Sequence, residues 1–312
     1  MKVSIVIPVY YNEDNLRPLY DDLKKKVIDV IDYDYEIVMV NDGSGDASYE
    51  VMKELASKDP NIKIYSLSRN YGSHAAVMCG FSKCTGDCAV IKAADLQEPS
   101  ELILEMVNSW KKGNNVVLAC RDGREEGKRQ VFFSNLYYKI VRKTALPNMP
   151  KNGFDVCLID RKVIEVLDRL DEKNSSFSCQ ILWSGFKTDY VHYVRKAREI
   201  GKSRWTLKKK IRLVTDTLFS FSTVPIKILS IVGVISIVGS VSWALYLMIM
   251  KMLGKIEVDG WTSLFVFNLL SFGILMLAMG VMGEYLWRSF DASRNRPLYI
   301  VEEDGQEDND RR

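Results

Sequence analysis

Four short polar clusters in this 312-residue chain combine residue types that bind or transfer charged groups. The first is Asn41-Asp42-Gly43-Ser44-Gly45-Asp46, directly after an apolar run. Asp42 at the end of that run can accept hydrogen bonds from a nucleobase edge or a ribose hydroxyl, and Gly43 permits a tight turn. The same residues also make an ordinary Asn-Asp-Gly turn. The second is Ala93-Ala94-Asp95-Leu96-Gln97-Glu98-Pro99. In extended backbone Asp95 and Gln97 face the same way, and two oxygen ligands on one side suit a hard divalent cation that bridges phosphates. The competing reading is a loop whose acids cap a helix beginning near Ser100. The third is Gly153-Phe154-Asp155, where Asp155 can serve as a general base if it reaches the nucleophile. The fourth is Arg195 to Trp205, with cations around a glycine and a serine. Arg and Lys in that setting suit a diphosphate or a lipid phosphate, and the alternative is a solvated basic loop.

These clusters need a scaffold, and the first 120 residues supply its pattern. Apolar runs Val3 to Val9, Tyr35 to Val40, Ile62 to Leu67, Cys88 to Ile91 and Val116 to Ala119 read as strands. Between them, Leu16 to Ile31, Tyr49 to Ser57, His74 to Lys83 and Ser100 to Lys112 carry apolar residues at helical spacing. Short apolar strands alternating with amphipathic helices predict a mostly parallel α/β sheet covered on both faces. In such sheets ligands bind beyond the carboxyl ends of the strands, where the first two clusters fall.

The composition excludes some functions. A net charge of +3 does not describe a general nucleic-acid binder. The six cysteines form no Cys-x-x-Cys pair and the chain has only two histidines, so a zinc site is not expected. The thiols are expected to be reduced and buried. No secretory leader is read at the N-terminus, since the apolar run after Lys2 is short and ends in Pro8-Val9-Tyr10.

The C-terminal third changes character. Ile228 to Met250 and Trp261 to Gly283 are two uncharged stretches bounded by Lys227, Lys251, Glu284 and Arg288. A hydrocarbon core about 30 Å thick needs ~20 apolar helical residues, so each can span a membrane; a pair of buried core helices is the alternative. Cations flank the pair at Lys208, Lys209, Lys210, Arg212 and Lys227, and again at Arg288, Arg294 and Arg296. That distribution predicts cytoplasmic termini and a cytoplasmic catalytic domain at the cell (inner) membrane. Trp205 to Pro225 mixes cations with Leu207, Ile211, Leu213, Leu218, Phe219 and Phe221, as in a helix lying among anionic headgroups. Val131 to Lys143 is a second segment of that kind. The expected organisation is a catalytic domain over 1–204, a juxtamembrane helix over 205–227, a two-helix membrane region over 228–283 and a tail over 284–312.

In this order the motifs resemble those of the polyprenyl-phosphate glycosyltransferases, a group within family-2 glycosyltransferases of the GT-A fold. The resemblance rests on Ser4 to Tyr10 with Asn12-Glu13, Asn41 to Ser44, Leu67 to Gly72 and Asp95 to Pro99. It continues through Leu158 to Arg161, Ala197-Arg198, Gly201 to Trp205 and Ser220 to Thr223, and ends with Gly283 to Leu286 and Arg296 to Val301. The final motifs and the paired apolar stretches look most like the bactoprenol-linked branch. The resemblance implies a sugar passing with inversion from a nucleotide-sugar, UDP-glucose or UDP-N-acetylglucosamine, to undecaprenyl (polyprenyl) phosphate among membrane lipids. It implies that Pro8, Tyr10, Glu13, Asp42 and Asp95 hold the nucleotide, and that Asp95 and Gln97 bind Mg2+ or Mn2+. Asp155 lines up with the family's proposed base, and Arg121, Arg124, Arg198, Ser203 and Arg204 with phosphate contacts. Two departures stand out: Ala93 occupies the first position of the usual Asp-x-Asp-x-Gln motif, and Arg204 replaces a frequent lysine. Ala93 keeps open a scaffold that has lost catalysis. A processive polysaccharide synthase is disfavoured, because Cys179 to Trp183 is a poor echo of the Gln-x-x-Arg-Trp segment. A homo-oligomer is compatible, with Arg296 to Glu303 pairing between protomers as an added strand.

Overall fold

The computed structural model describes residues 1–122, 128–170, 172–195, 207–254 and 260–305. The first strand, β1 (Lys2–Val9), leads to α1 (Glu13–Leu23), whose last turn loosens into a π-helical stretch over Lys24–Ile28. Then come β2 (Asp34–Asn41), α2 (Ser48–Lys58), β3 (Ile62–Leu67), α3 (Ser73–Lys83), β4 (Cys88–Ile91), α4 (Leu102–Lys111) and β5 (Val116–Arg121). The β–α alternation therefore runs as expected, and the strand interiors are buried on both faces. After β5 the pattern departs. Helix α5 (Lys128–Thr144) precedes β6 (Val156–Asp160), α6 (Arg161–Asp168), α7 (Phe177–Trp183) and β7 (Thr188–Tyr193).

Among the described residues the strands form one eight-stranded sheet in the order β7-β5-β6-β4-β1-β2-β3-β8, where β8 is Val301–Asp304. Strands β1 to β4 run parallel, as does β7 beside β5. Strand β6 is antiparallel to both β4 and β5. Because of this sense, the start of β6, not its end, lies at the carboxyl edge of its neighbours. The core is built from apolar strand residues packed against Leu16, Leu19, Met52, Leu55, Ile103 and Met106 of the covering helices. All six cysteines are free and buried, as their composition suggested.

Two compact units divide the chain. One comprises Met1–Thr217 with Pro297–Arg312, the other Leu218–Arg296. The tail thus returns to the sheet unit. Its strand β8 pairs antiparallel with β3 of the same chain, with a register shift between Ser66 and Leu67. The Tyr299 hydroxyl lies 2.7 Å from that of Ser82, and Ser68 N–H donates to the Ile300 carbonyl at 3.0 Å. The expected tail strand is present, and its partner is its own sheet edge.

The second unit holds α9 (Val224–Met252) and α10 (Trp261–Ser293), preceded by the end of α8 (Leu207–Phe221). Both α9 and α10 contain stretches long and apolar enough to cross a membrane, with mean hydropathy 2.2 and 1.7. Neither stretch is buried within the protein, which does not suit core helices. Within this unit Arg288 Nε donates to Glu284 at 2.8 Å and Nη1 to Ser220 at 3.2 Å, while the Phe219 and Tyr285 rings meet at 5.1 Å.

At the amino edge of the sheet, Glu36 is 1% exposed and holds several elements together. It accepts from Ser4 Oγ at 2.6 Å and from the amides of Thr85 and Gly86, and it pairs with Lys2 and Lys63, each at 2.9 Å. Burial alone would raise its carboxyl. Lys63, Ser4, the Thr85 amide and Lys2 together hold it well below the usual carboxylate range. A depressed carboxyl stabilises the fold above its unfolded value, and that contribution fades as pH falls toward the folded one. Glu36→Ala is expected to destabilise the sheet unit by about 3 kcal/mol at neutral pH, since it strands buried donors and two cations. Denaturant titrations of the full chain in detergent at several pH values check this. The difference from wild type should shrink as pH drops below the ordinary glutamate value of 4.5.

Candidate active site

The carboxyl ends of β1, β2, β4, β5 and β7 and the start of β6 converge on one edge of the sheet. The register explains the convergence: Arg121 at the end of β5 pairs with Tyr193 at the end of β7, and Ala119 pairs with Val156 at the start of β6. Asp155, one residue before β6, therefore arrives beside Arg121 and Tyr193. Arg121 Nη2 donates to Asp155 Oδ1 at 2.6 Å, and its Nε lies in ion-pair contact with Oδ2. The Tyr193 hydroxyl donates to Oδ2 at 3.0 Å. The Arg121 side chain is 8% exposed and Asp155 is 24% exposed, so the carboxylate faces the edge while its partner is buried. Burial, reinforced by Asp155, pushes the Tyr193 phenol far above its ordinary value, so it serves as a donor. Arg121, expected on phosphate, is paired with Asp155 in this structure.

A second cluster is assembled on β1 and β2. Asp42 is 3% exposed, and its carboxylate accepts from the amides of Tyr71 at 2.7 Å and Gly72 at 3.0 Å. That pulls the segment after β3 against the end of β2. Gly43 has φ 65° there, and a Cβ on it would stand 2.5 Å from the Arg69 carbonyl carbon. Only glycine fits so close an approach of two backbones. Tyr11 N–H donates to Ser44 Oγ at 3.0 Å, and the Tyr10 and Tyr11 rings meet edge to face at 4.8 Å. Glu13 accepts from the Ala47 amide at 2.7 Å, which fixes the start of α2. Pro8 lies on β1 opposite Val40, past the last β1–β4 pair.

The turn after β4 corrects one expectation. Asp95 and Gln97 are not in extended backbone; Leu96 is left-handed at φ 58°, and Gln97 N–H donates to Asp95 Oδ1 at 3.3 Å. Gln97 Oε1 accepts from Arg195 Nη2 at 2.6 Å. Glu98 is 2% exposed and Lys92 is 1% exposed, with the Lys92 ammonium on the Glu98 backbone carbonyl. Burial and then Asp95 push the Glu98 carboxyl up, while burial pushes Lys92 down.

Asp95, Gln97 and Glu98 offer oxygen atoms only, the donor set of a hard divalent ion. No group of three His, Cys, Asp or Glu side chains able to hold a metal occurs among the described residues. With Ala93 contributing no oxygen, the set fits an ion that draws further ligands from a bound diphosphate. Arg124, Arg198, Ser203 and Arg204 lie outside the described residues. Tyr193, Arg195, Lys92 and Glu98 belong to the site but were not singled out from sequence. Arg195 lay within the basic stretch and Glu98 within a quoted motif. Tyr193 carried only the alternating pattern of Thr188–Tyr193.

A mostly parallel α/β sheet with acids and cations gathered at its carboxyl edge is the architecture of a GT-A enzyme. The model of the glycosyl transferase family 2 matches residues 4–168, and the chain belongs to that family. The uncharacterized glycosyltransferase YkcC of Bacillus subtilis strain 168 is 38% identical over 97% of this chain and 94% of its own length. The bactoprenol glucosyl transferase of Shigella phage SfV is 32% identical over 98% of this chain and 100% of its own. Among solved structures, S. aureus TarS in complex with UDP-GlcNAc aligns with TM-score 0.48 at 17% identity, over 71% of this chain and 67% of that one.

Asp42→Ala should free the amides of Tyr71 and Gly72. Hydrogen exchange followed by mass spectrometry is expected to show those positions opening about 10- to 100-fold more readily, the equivalent of one or two hydrogen bonds to a charged acceptor.

Proposed function

We propose that this glycosyltransferase transfers a hexose from a nucleotide-sugar to a polyprenyl phosphate at a membrane surface. The observation that carries the proposal is similarity along essentially the whole chain, the apolar helices included, to a bactoprenol glucosyl transferase at 32% identity. Helices α9 and α10 support a two-span anchor. The cations flanking them support cytoplasmic termini and a cytoplasmic site.

In the proposed reaction a phosphate oxygen of the lipid attacks the anomeric carbon. The new C1–O bond forms as the bond from C1 to the nucleoside diphosphate breaks, with inversion, and the diphosphate leaves with the electron pair. The donor is UDP-glucose or UDP-N-acetylglucosamine. Tyr10, Glu13 and Asp42, beside Pro8, build the nucleotide side, the last by holding Tyr71 and Gly72. A phosphate nucleophile is already anionic near neutral pH, so Asp155 acts chiefly by orienting the acceptor, and Arg121 and Tyr193 hold it for that task. Asp95 and Gln97 would hold Mg2+ or Mn2+, and such an ion supplies charge neutralisation on the departing diphosphate. Arg198, Ser203 and Arg204 are assigned to the phosphates on sequence alone.

Radiolabel transfer into organic-extractable lipid tests the reading. Purified protein, undecaprenyl phosphate, Mg2+ or Mn2+ and a panel of UDP- and GDP-sugars are expected to yield labelled lipid with a single UDP-sugar. Folded protein that labels no lipid with any donor would favour the scaffold that Ala93 allows. In the same assay Asp155→Asn is expected to lower kcat by about 100-fold, the scale that misplacing a reactant by about 1 Å can cost. Turnover within about threefold of wild type would take Asp155 out of the catalytic set.

A further inference from the structure

The turn after β4 holds more buried charge than the reaction above employs. Neither carboxylate oxygen of Glu98 receives a hydrogen bond among the described residues. The nearest cationic atoms are Arg195 Nη2, 3.8 Å from Oε1, and Lys92 Nζ, 4.0 Å from Oε2. Both separations are too long for hydrogen bonds. Glu98 is therefore a carboxylate out of water with open lone pairs, a costly arrangement unless a cation stays beside it.

Arg195 is the cation best placed to do so, and it does a second thing. The same terminal nitrogen donates to Gln97 Oε1 at 2.6 Å, so one guanidinium spans Gln97 and Glu98. Its Nε is buried with no hydrogen-bond partner among the described residues. Asp95 is close enough for its charge to act on both Glu98 and Arg195. The oxygens assigned to a divalent ion are thus attended by a positive side chain. A divalent ion using Gln97 Oε1 must remove Arg195 from it, because two cations cannot share one amide oxygen at contact distance. Ala93 leaves the ion one carboxylate short in that competition. A diphosphate changes the balance: it brings oxygens for the ion and a bidentate acceptor for the displaced guanidinium.

We propose that Arg195 is the resident cation of the Asp95–Glu98 turn, and that it yields Gln97 to a divalent ion only when a nucleoside diphosphate arrives to take up its charge. The proposal rests on the reading of Asp95 and Gln97 as metal ligands. It makes Arg195 a binding residue for the diphosphate. It also makes metal uptake conditional on the donor, so the free protein would hold little metal.

The test uses full-length protein in detergent and two readouts independent of turnover. Mn2+ binding without nucleotide is followed by the electron paramagnetic resonance signal of the free ion, and UDP binding in EDTA by calorimetry. Arg195→Gln is expected to tighten nucleotide-free Mn2+ binding by about tenfold and to weaken metal-free UDP binding by about tenfold, each the worth of one modest charge interaction. Arg195→Lys keeps a partly buried charge but cannot span both partners, and it should tighten Mn2+ by about threefold. Circular dichroism checks folding, and if Arg195→Gln does not fold, the lysine variant decides. Mn2+ affinity equal to wild type in the folded variants overturns the proposal, as does metal-free UDP affinity untouched by Arg195→Gln. Asp95→Asn separates the two ideas. Unchanged Mn2+ binding in the presence of UDP would sink the metal-ligand reading itself, whereas a loss there beside unaltered arginine variants would sink only the role of Arg195.

Discussion

The site depends on the direction of one strand. Because β6 runs against β4 and β5, its first residue rather than its last meets the edge where the parallel strands end. Asp155 then faces the buried Arg121 and helps to compensate its charge. Arg121 in turn cannot leave, since the carboxylate and the strand ladder both hold it. Tyr193 completes the arrangement from the far side of β5. The acid is thereby aimed by secondary structure as well as by its own rotamer, as its proposed role at the acceptor would require.

Much of this was legible in the residues. Strands β1 to β5 announce themselves as short apolar runs because both of their faces are covered, and the polar clusters at their ends mark the working edge. The later strands were harder for physical reasons. Strand β7 borders the sheet with alternately exposed residues, and β8 is short, acidic and paired with a strand very distant in sequence. Strand polarity leaves no trace in a four-residue apolar run, so the antiparallel sense of β6 could not be read from Val156 to Ile159. The turn at Leu96 was missed because its left-handed backbone is carried by leucine, a residue that does not advertise it. Buried charge was equally hidden: nothing in the local pattern distinguishes Lys92 and Glu98 from solvent-facing residues, since their burial follows from what packs over them.

The loss of a carboxylate at Ala93 looks severe in a motif and milder in three dimensions. The turn retains Asp95 and a second, buried acid at Glu98, and it carries its own cations in Lys92 and Arg195. What has changed is the balance between fixed side-chain charge and charge brought by the ligand. Under the proposed reaction, an enzyme arranged in this way would rely on its donor to finish its electrostatics, and with two phosphorylated substrates an over-strong metal centre would retain the diphosphate product.

The return of the tail to β3 also sets an order of assembly. Strand β8 is made after both apolar helices, yet it closes the edge of a sheet whose other seven strands precede them. While the chain is being synthesised, β3 therefore presents an open row of backbone donors and acceptors, the kind of edge that recruits other strands. It stays open until α9 and α10 have been made and the last segment has emerged. The sheet unit can reach a nearly complete fold early, from local β–α units, but its final ladder carries a very large loop-closure distance and forms last. Completion of this domain is thus coupled in time to completion of the two apolar helices, and a chain arrested between the two would carry an unfinished, adhesive sheet.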